Sequence, residues 1–160
     1  MRLIAILLVL GIVLGVVFIP QVFFVVDETE QAVVTRFGEP RMTFKKPGIK
    51  SKLPFVEKVN YFEKRLMLFD APPEGLLTKD KKRLVIDVYS RGRIINPLLF
   101  FETVISEDKA RSRAIDIIAS ELRKEIAKDD QSEIIKVNRE DIMLRVKEAV
   151  IPQLANYGIH

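Results

Sequence analysis

Residues 83–97 read RLVIDVYSRGRIINP, and the hydrophobic pattern changes from strand to helix within this stretch. Apolar residues fall on one face of an extended strand at every second position from Leu84 to Val88, because successive side chains point to opposite faces. Asn96 followed by Pro97 is a typical helix start, with a capping side chain and a proline at the first helical position. The pattern therefore predicts strands before this point and helices after it, which is an α+β fold with helices packed on an antiparallel sheet.

Four extended segments are expected on the N-terminal side, from β-forming composition and turn residues. They are residues 30–37, which end at the turn signal 38–40; residues 49–54, after the turn 45–48; residues 56–69, bulged near 63–65; and a hairpin of residues 76–78 and 83–95 around the polar turn 79–82. The hairpin is the clearest of the four, because a short polar turn joins two apolar runs.

Three helices are expected on the C-terminal side, from apolar residues at helical spacing. The first covers residues 97–105. Ser106 caps the second, which runs to about residue 128 with the apolar face Ile115, Ile118, Ala119, Leu122 and Ile126. Asn138 caps the third, whose apolar stripe is Ile142, Val146, Ala149, Val150, Leu154 and Tyr157, and which stops at Gly158. Pro152 is expected to kink this last helix.

Charged residues avoid the N-terminal part of the 160-residue sequence: all 22 acidic residues and all but one of the 26 Lys and Arg residues lie in residues 27–160. As a helix, the uncharged run 3–26 would span about 36 Å, enough for a hydrocarbon core of about 30 Å. It is too long for the apolar core of a signal peptide, and bulky residues 18–24 stand where a cleavage site would fall. We therefore predict an uncleaved transmembrane anchor over residues 1–26 and one domain over 27–160.

The residues that flank this run predict its orientation. Arg2 precedes the run, whereas Asp27, Glu28 and Glu30 follow it. By the positive-inside tendency the N-terminus lies in the cytoplasm and the domain lies across the membrane, which in a Gram-negative cell is the periplasm.

The composition excludes several kinds of catalytic site. The sequence has no Cys, so a disulfide framework, a thiolate nucleophile and a zinc–thiolate site are ruled out. The one histidine is the last residue, His160, which is expected to fray and so to serve neither a catalytic triad nor a metal site. We predict no catalytic, cofactor-binding or metal residues, no cofactor and no enzymatic activity.

A membrane-anchored serine peptidase with a Ser–Lys dyad is the less favoured alternative. Its nucleophile would be one of six serines: Ser51, Ser90, Ser106, Ser112, Ser120 and Ser132. Ser106 and Ser132 are expected as cap or loop residues, and Ser112 and Ser120 as exposed helix positions.

Several polar and apolar clusters have both a structural and a functional interpretation. Asp80 is expected as a turn residue, and Asp87 in an ion pair with Arg91 or Arg93. The basic residues Arg41, Lys45, Lys46, Lys50 and Lys52 form either a solvated loop or a contact with lipid headgroups.

Core packing is the default for Pro54-Phe55 and for Leu99-Phe100-Phe101, with membrane-surface or subunit contact as the alternative. The charges Glu121, Arg123, Lys124, Glu125 and Lys128 are expected on a solvated helix face, available for salt bridges between subunits. Nucleic-acid binding is not expected, because acids are nearly as numerous as bases and no stacking aromatics lie among the basic residues.

Six segments together resemble the SPFH, or band 7, family of stomatins, prohibitins, flotillins and HflK/HflC proteins. In chain order they are residues 27–38 (DETEQAVVTRFG), Pro47-Gly48-Ile49 with Leu53-Pro54-Phe55-Val56, Arg65 with Phe69-Asp70, residues 77–88 (LTKDKKRLVIDV), Arg93-Ile94 with Asn96-Pro97, and Tyr157-Gly158-Ile159. The short N-terminus, the single anchor and the hairpin at 77–80 resemble the HflC branch most.

This resemblance implies a transmembrane helix followed by an SPFH domain, acting as a non-enzymatic subunit of a hetero- or homo-oligomer in the bacterial inner membrane. The implied partners are an HflK-like subunit, the FtsH-type AAA+ membrane protease that the complex modulates, and membrane lipid, with no nucleic acid and no small-molecule substrate. A stomatin- or prohibitin-like lipid scaffold, with its domain on the cytoplasmic side, is the alternative.

The sequence departs from the family pattern in two places. Gly92 stands where the family usually has an aromatic residue, so a weakened strand and a hole in the packing are expected there. The residues after Ile159 do not include the family's last strand or the long helix that follows it, so we expect a fragment or a truncated gene product.

Overall fold

The computed structural model describes residues 21–136 and 139–160, and the chain divides between Lys64 and Arg65 into two compact units. In the first unit the described strands are β1 (Phe23–Val26), β2 (Glu30–Arg36), β3 (Glu39–Phe44), β4 (Gly48–Ser51) and β5 (Glu57–Glu63). The second unit contains β6 (Met67–Leu77), β7 (Arg83–Gly92), α1 (Pro97–Thr103), α2 (Glu107–Ile126), α3 (Gln131–Lys136) and α4 (Arg139–Ala155). The predicted α+β class and its order of strands before helices are confirmed.

The described strands form three small antiparallel sheets instead of the single sheet that the sequence predicted. Their orders are β1–β4, β3–β2–β5 and β6–β7. The expected segment 56–69 contains no simple bulge, because β5 pairs with β2 whereas β6 pairs with β7. Strand β3 was not predicted, since Glu39 and Pro40 read as part of a turn, but the turn is only Phe37-Gly38.

The end of the expected anchor forms part of the first unit. Gln21 and Val22 are helical, and residues 23–26 form β1, in which Phe24 and Val26 are buried while Phe23 and Val25 are exposed. This alternation explains why the segment pairs as a strand, which an uncharged run alone did not reveal. Residues 1–20 and the predicted cap Asn138 lie outside the described residues. Within the residues that are described, no helix has the length and apolarity needed to cross a membrane.

The core of the first unit lies between β1 and the sheet around β2. Phe24, Val26, Ala32 and Val34 are buried together, and Phe44 and Val59 pack against them. The rings of Phe24 and Phe44 meet edge to face, with centroids 5.6 Å apart. Strand β2 is paired along both edges, so its hydrogen bonds are satisfied within the sheet.

The predicted hairpin of the second unit is confirmed and is longer than expected. Its register runs from Met67 opposite Gly92 to Leu77 opposite Arg83. The register shifts between Ala71 and Glu74, where Pro72 and Pro73 supply no N–H groups to the ladder. The predicted faces of β7 are also confirmed, because positions from 84 to 88 alternate between partly buried and exposed.

Two of the three predicted helix starts are confirmed by their caps. Asn96 Oδ1 accepts a hydrogen bond from the Leu99 N–H at 3.4 Å, and Ser106 Oγ accepts one from the Lys109 N–H at 3.5 Å. The buried row of α2 is shifted from the predicted one and consists of Ala110, Ala114, Ile118, Glu121, Leu122, Glu125 and Ile126. Helix α3 was not predicted.

Helix α4 buries the predicted residues Ile142, Val146, Val150 and Leu154. Pro152 is exposed, and the helix continues past it to Ala155. The predicted stop at Gly158 is confirmed, since this residue takes a left-handed φ of +72°.

The residues after α4 are fixed against β7 and the start of α1. The Gly158 carbonyl accepts hydrogen bonds from the N–H groups of Ile95 and Asn96 at 2.9 and 3.1 Å. His160 and Arg93 exchange two backbone hydrogen bonds of 2.8 and 2.9 Å, so the expectation that His160 frays is wrong. No side chain would fit at Gly92, because a Cβ there would lie 2.8 Å from Phe69 Cε2, although Gly92 also lines a cavity in this unit.

Gly158→Ala is expected to lower the free energy of unfolding by about 2–4 kcal/mol. The left-handed backbone disfavours alanine, and the added Cβ would lie 2.4 Å from the Asn96 carbonyl oxygen. Gly38→Ala is the matched control: its φ is +91° but its Cβ would meet nothing within 4 Å, so a loss of about 1 kcal/mol is expected. Denaturation followed by circular dichroism measures both, and equal losses would contradict the close contact at Gly158.

Candidate functional site

The turn of the β6–β7 hairpin is fixed by Asp80, as the sequence predicted for this residue. Asp80 accepts a hydrogen bond from Thr78 Oγ1 at 2.5 Å and lies 3.0 Å from the Lys82 ammonium. It also accepts one from the Gln131 N–H at 3.3 Å, which joins the turn to the start of α3. These bonds, led by that of Thr78, lower the pKa of Asp80 to about 2. Asp87 forms no ion pair with Arg91 or Arg93 in the described structure, so that expectation is wrong.

Two glutamates predicted on the solvated face of α2 are buried between this helix and α4. Glu121 and Glu125 are only 8% and 6% exposed. Glu125 accepts hydrogen bonds from Lys128 Nζ at 2.6 Å and from Arg145 Nε at 2.9 Å, and Arg145 also binds Asp129. The bond from Lys128 is the main cause that lowers the pKa of Glu125, so it remains ionised despite its burial.

Glu121 is held in the same way, by Lys124 Nζ at 2.6 Å and by Gln153 Nε2 at 2.9 Å. The bond from Lys124 is the largest cause of its lowered pKa. Arg123 and Lys124 are exposed, as predicted. The sequence spacing could have predicted that Glu121 and Glu125 are buried while their neighbours are exposed. The two glutamates follow Ala114 and Ile118 at helical intervals on the buried row.

The residues considered for catalysis have structural roles where their bonds are described. Ser106 caps α2, and Ser112 Oγ donates to the Asp108 carbonyl at 3.2 Å. Among residues 21–136 and 139–160, no group of three or more His, Cys, Asp or Glu side chains could hold a metal ion. The predicted absence of catalytic, cofactor and metal residues stays a prediction.

A cavity of about 530 Å³ lies in the second unit between β7 and helices α2 and α4. Its apolar walls include Phe69, Ile118 and Val150. The charged side chains that line it are the basic residues Arg91, Arg93 and Lys147, and Tyr89 and His160 line it as well. This lining offers apolar contact and positive charge, which suits binding.

The two apolar segments 54–55 and 99–101, for which the sequence allowed either core packing or surface contact, have different environments. Phe100 is fully buried, so core packing is confirmed for it, whereas Leu99 and Phe101 are only partly buried. Phe55 is 77% exposed, and the default of core packing is wrong for it. Phe37, which the sequence analysis did not single out, is 88% exposed in the β2–β3 turn.

The five basic residues predicted as a cluster are spread along β3, β4 and their turn. Arg41 lies 3.5 Å from Glu39, and the Lys50 ammonium lies 5.8 Å from the centre of the Phe44 ring. Lys52 donates its backbone N–H to the Val22 carbonyl at 2.7 Å. The five residues therefore do not lie on a single loop.

One buried carboxylate joins the two segments that carry the exposed phenylalanines. Glu57 Oε1 accepts a hydrogen bond from Arg36 Nη2 at 2.8 Å, and Oε2 accepts one from the Leu53 N–H at 2.8 Å. Only 1% of its side chain is exposed. The bond from the Leu53 backbone is the largest cause that lowers the pKa of Glu57, followed by the bond from Arg36. Sequence reasoning missed this residue.

Comparison with known proteins agrees with the resemblance found in the sequence. The family model described as "SPFH domain / Band 7 family" matches residues 24–160. The chain is 32% identical over 143 residues to "Protein HflC" of Treponema pallidum (strain Nichols), which is 89% of this chain and 40% of that protein. It is 27% identical over 147 residues to "Modulator of FtsH protease HflC" of Escherichia coli (strain K12), covering 87% of this chain and 44% of that protein. The chain thus spans less than half the length of these curated relatives.

Arg145→Ala is expected to lower the free energy of unfolding by about 1–2 kcal/mol at neutral pH, because it leaves buried Glu125 with one partner fewer. Lys147→Ala, which removes an exposed cation from the same helix, should cost less than about 0.5 kcal/mol. Because the pKa of Glu125 is lowered, its stabilising effect is fully present above the ordinary value of 4.5 and is lost as the pH falls through the lowered pKa of the folded state. Urea denaturation at a series of pH values below 7 measures this, and a difference between the variants that does not shrink as the pH falls would contradict it.

Proposed function

The chain belongs to the SPFH domain / Band 7 family, and from this premise we propose that it acts as an HflC-like subunit that modulates an FtsH-type membrane protease. The single observation that carries the proposal is the family match over residues 24–160 together with relatives named HflC. The name of the Escherichia coli relative, a modulator of FtsH protease, supplies the partner protease. An HflK-like protein is the second partner, in a hetero- or homo-oligomeric assembly.

The role is that of an assembly subunit and not of an enzyme. Three polar side chains of types that catalysis commonly uses make structural contacts instead. Asp80 lies in a turn, Ser106 caps a helix, and Glu125 forms an ion pair between helices. The pKa values of Asp80 and Glu125 are lowered by these bonds, so both carboxylates stay ionised and hold neighbouring elements together. The rigid surfaces that result are what a scaffold offers to its partners.

Residues 3–20 anchor the chain in the bacterial inner membrane. Their sequence is uncharged and apolar, and a charged side chain at the centre of a spanning helix costs about 2.5–3.5 kcal/mol on insertion scales. Arg2 holds the N-terminus in the cytoplasm, and the two described units lie on the periplasmic side.

The anchor is tested by two charges in the apolar run. Leu10→Lys with Leu14→Lys should move the chain from the carbonate-washed membrane fraction to the soluble fraction, because both charges would lie within the hydrocarbon core. Leu10→Ile with Leu14→Ile is the control and should remain in the membrane. Retention of the lysine variant would exclude this anchor. In spheroplasts, added protease should cleave the anchored chain; complete protection would favour a lipid scaffold with its domain in the cytoplasm.

The assembly is tested by co-expression with an HflK-like protein and FtsH from the same organism. Extraction in mild detergent should give a particle many times larger than one chain that contains all three proteins, as size-exclusion chromatography and mass spectrometry would report. Turnover of a membrane substrate of the protease should change at least about twofold when the chain is omitted. A monomer with unaltered proteolysis would refute the proposed role.

A further inference from the structure

Two exposed phenylalanines stand on neighbouring turns at one end of the first unit. Phe37 occupies the turn between β2 and β3, and Phe55 occupies the segment between β4 and β5. Arg36 pairs with Glu57 in the β2–β5 register, so both turns lie beyond the same end of the sheet. Leu53, in the second of these segments, is also about half exposed. This end of the first unit therefore exposes apolar side chains to solvent.

Both phenylalanines adopt a backbone conformation that bulky residues avoid. Their φ angles are +52° for Phe37 and +63° for Phe55. The two-residue turn formed with Gly38 needs positive φ at both positions, and asparagine or aspartate is the usual residue at the first. An asparagine or aspartate at position 37 would have less backbone strain and would expose no apolar ring. An apolar residue in such a position, more than three-quarters exposed, is typical of a contact surface.

Glu57 holds the two turns at a fixed spacing. One carboxylate oxygen binds the guanidinium of Arg36, next to Phe37, and the other binds the backbone of Leu53, two residues before Phe55. The Glu57 N–H in turn donates to the Leu53 carbonyl at 3.1 Å. Three hydrogen bonds through one residue therefore keep the two rings at the same end of the unit.

The chain from the apolar N-terminal run enters the unit at this same end. Phe23 lies opposite Ser51 in the β1–β4 register, and the Lys52 N–H donates to the Val22 carbonyl at 2.7 Å. Lys52 is the first residue of the segment that carries Phe55. Residues 3–19 are uncharged throughout, so the exposed rings lie beside the point where an anchored chain would leave the lipid.

We propose that Phe37 and Phe55, held as a pair by Glu57, insert into the boundary between headgroups and acyl chains of the membrane in which the chain is anchored. The contact rests on the proposed anchor at residues 3–20. Phenylalanine is among the apolar residues that interfacial segments bury about 5–10 Å into the boundary between headgroups and acyl chains. Two projecting side chains are too small an area for a stable protein interface, which buries about 1,000 Å² or more, but they suffice for a contact already tethered to the bilayer.

The absence of tryptophan from the sequence allows a direct test. Phe37→Trp and Phe55→Trp each place a single fluorophore in the full chain, which is reconstituted in vesicles of phosphatidylethanolamine and phosphatidylglycerol with or without brominated acyl chains. Lys46→Trp is the control, because Lys46 is exposed at the other end of the unit, about 20 Å away along β2. Bromine should quench the fluorescence at positions 37 and 55 at least twofold more than at position 46.

The outcomes separate this contact from the anchor on which it rests. If the chain fails to float with the vesicles, the proposed anchor is wrong and the contact falls with it. If the chain floats but positions 37 and 55 are quenched no more than position 46, the anchor stands and the contact is refuted. Blue-shifted fluorescence without bromine quenching would point to a protein partner at these turns and would refute the lipid contact as well.

The role of Glu57 as a positioning residue is tested in the Phe55→Trp background. Glu57→Gln should reduce the bromine quenching by at least half without altering flotation or the circular dichroism spectrum, because the charged bond to Arg36 is lost. Phe37→Ser is a second variant that leaves Glu57 intact; it should also reduce quenching at position 55, because the pair would insert less deeply. Unchanged quenching in both variants would refute the paired contact, even if Glu57→Gln alone proved unstable.

Discussion

The pairing of β2 along both of its edges is the constraint on which the first unit depends. It sets β3 and β5 in register on either side, and it buries Ala32 and Val34 against β1. The same register brings Arg36 opposite Glu57, where the carboxylate lies out of water between two donors. Because a buried carboxylate without partners would be costly, both the Arg36 guanidinium and the Leu53 N–H are needed at these positions.

Buried carboxylates have the same effect in the second unit. Glu121 and Glu125 interrupt an otherwise apolar row of α2, yet each accepts two hydrogen bonds, with one donor in each case coming from α4. Apolar packing alone would allow two helices to slide by a turn at little cost. Ionised groups that must meet particular donors permit only one alignment, so these pairs favour a single arrangement of α2 and α4.

In the role proposed above, as a subunit of a membrane assembly, the chain benefits from this kind of rigidity. Its partners meet surfaces, and those surfaces must keep their shape when the chain is bound and when it is free. Among the described residues, the first unit has exposed apolar turns, and the second has a cavity with basic residues around apolar walls. Both are suited to binding.

The sequence by itself determined the α+β class, the β6–β7 hairpin, the caps Asn96 and Ser106, and the family, because these follow from local periodicity, turn chemistry and ordered motifs. It did not determine the division into three sheets, the strand β3, or the burial of Glu121 and Glu125. Nor did it reveal that Glu57 joins two turns. Those features depend on which distant residues meet, since a polar side chain can be buried only where partners from other elements satisfy it, and only the tertiary structure decided where that occurs.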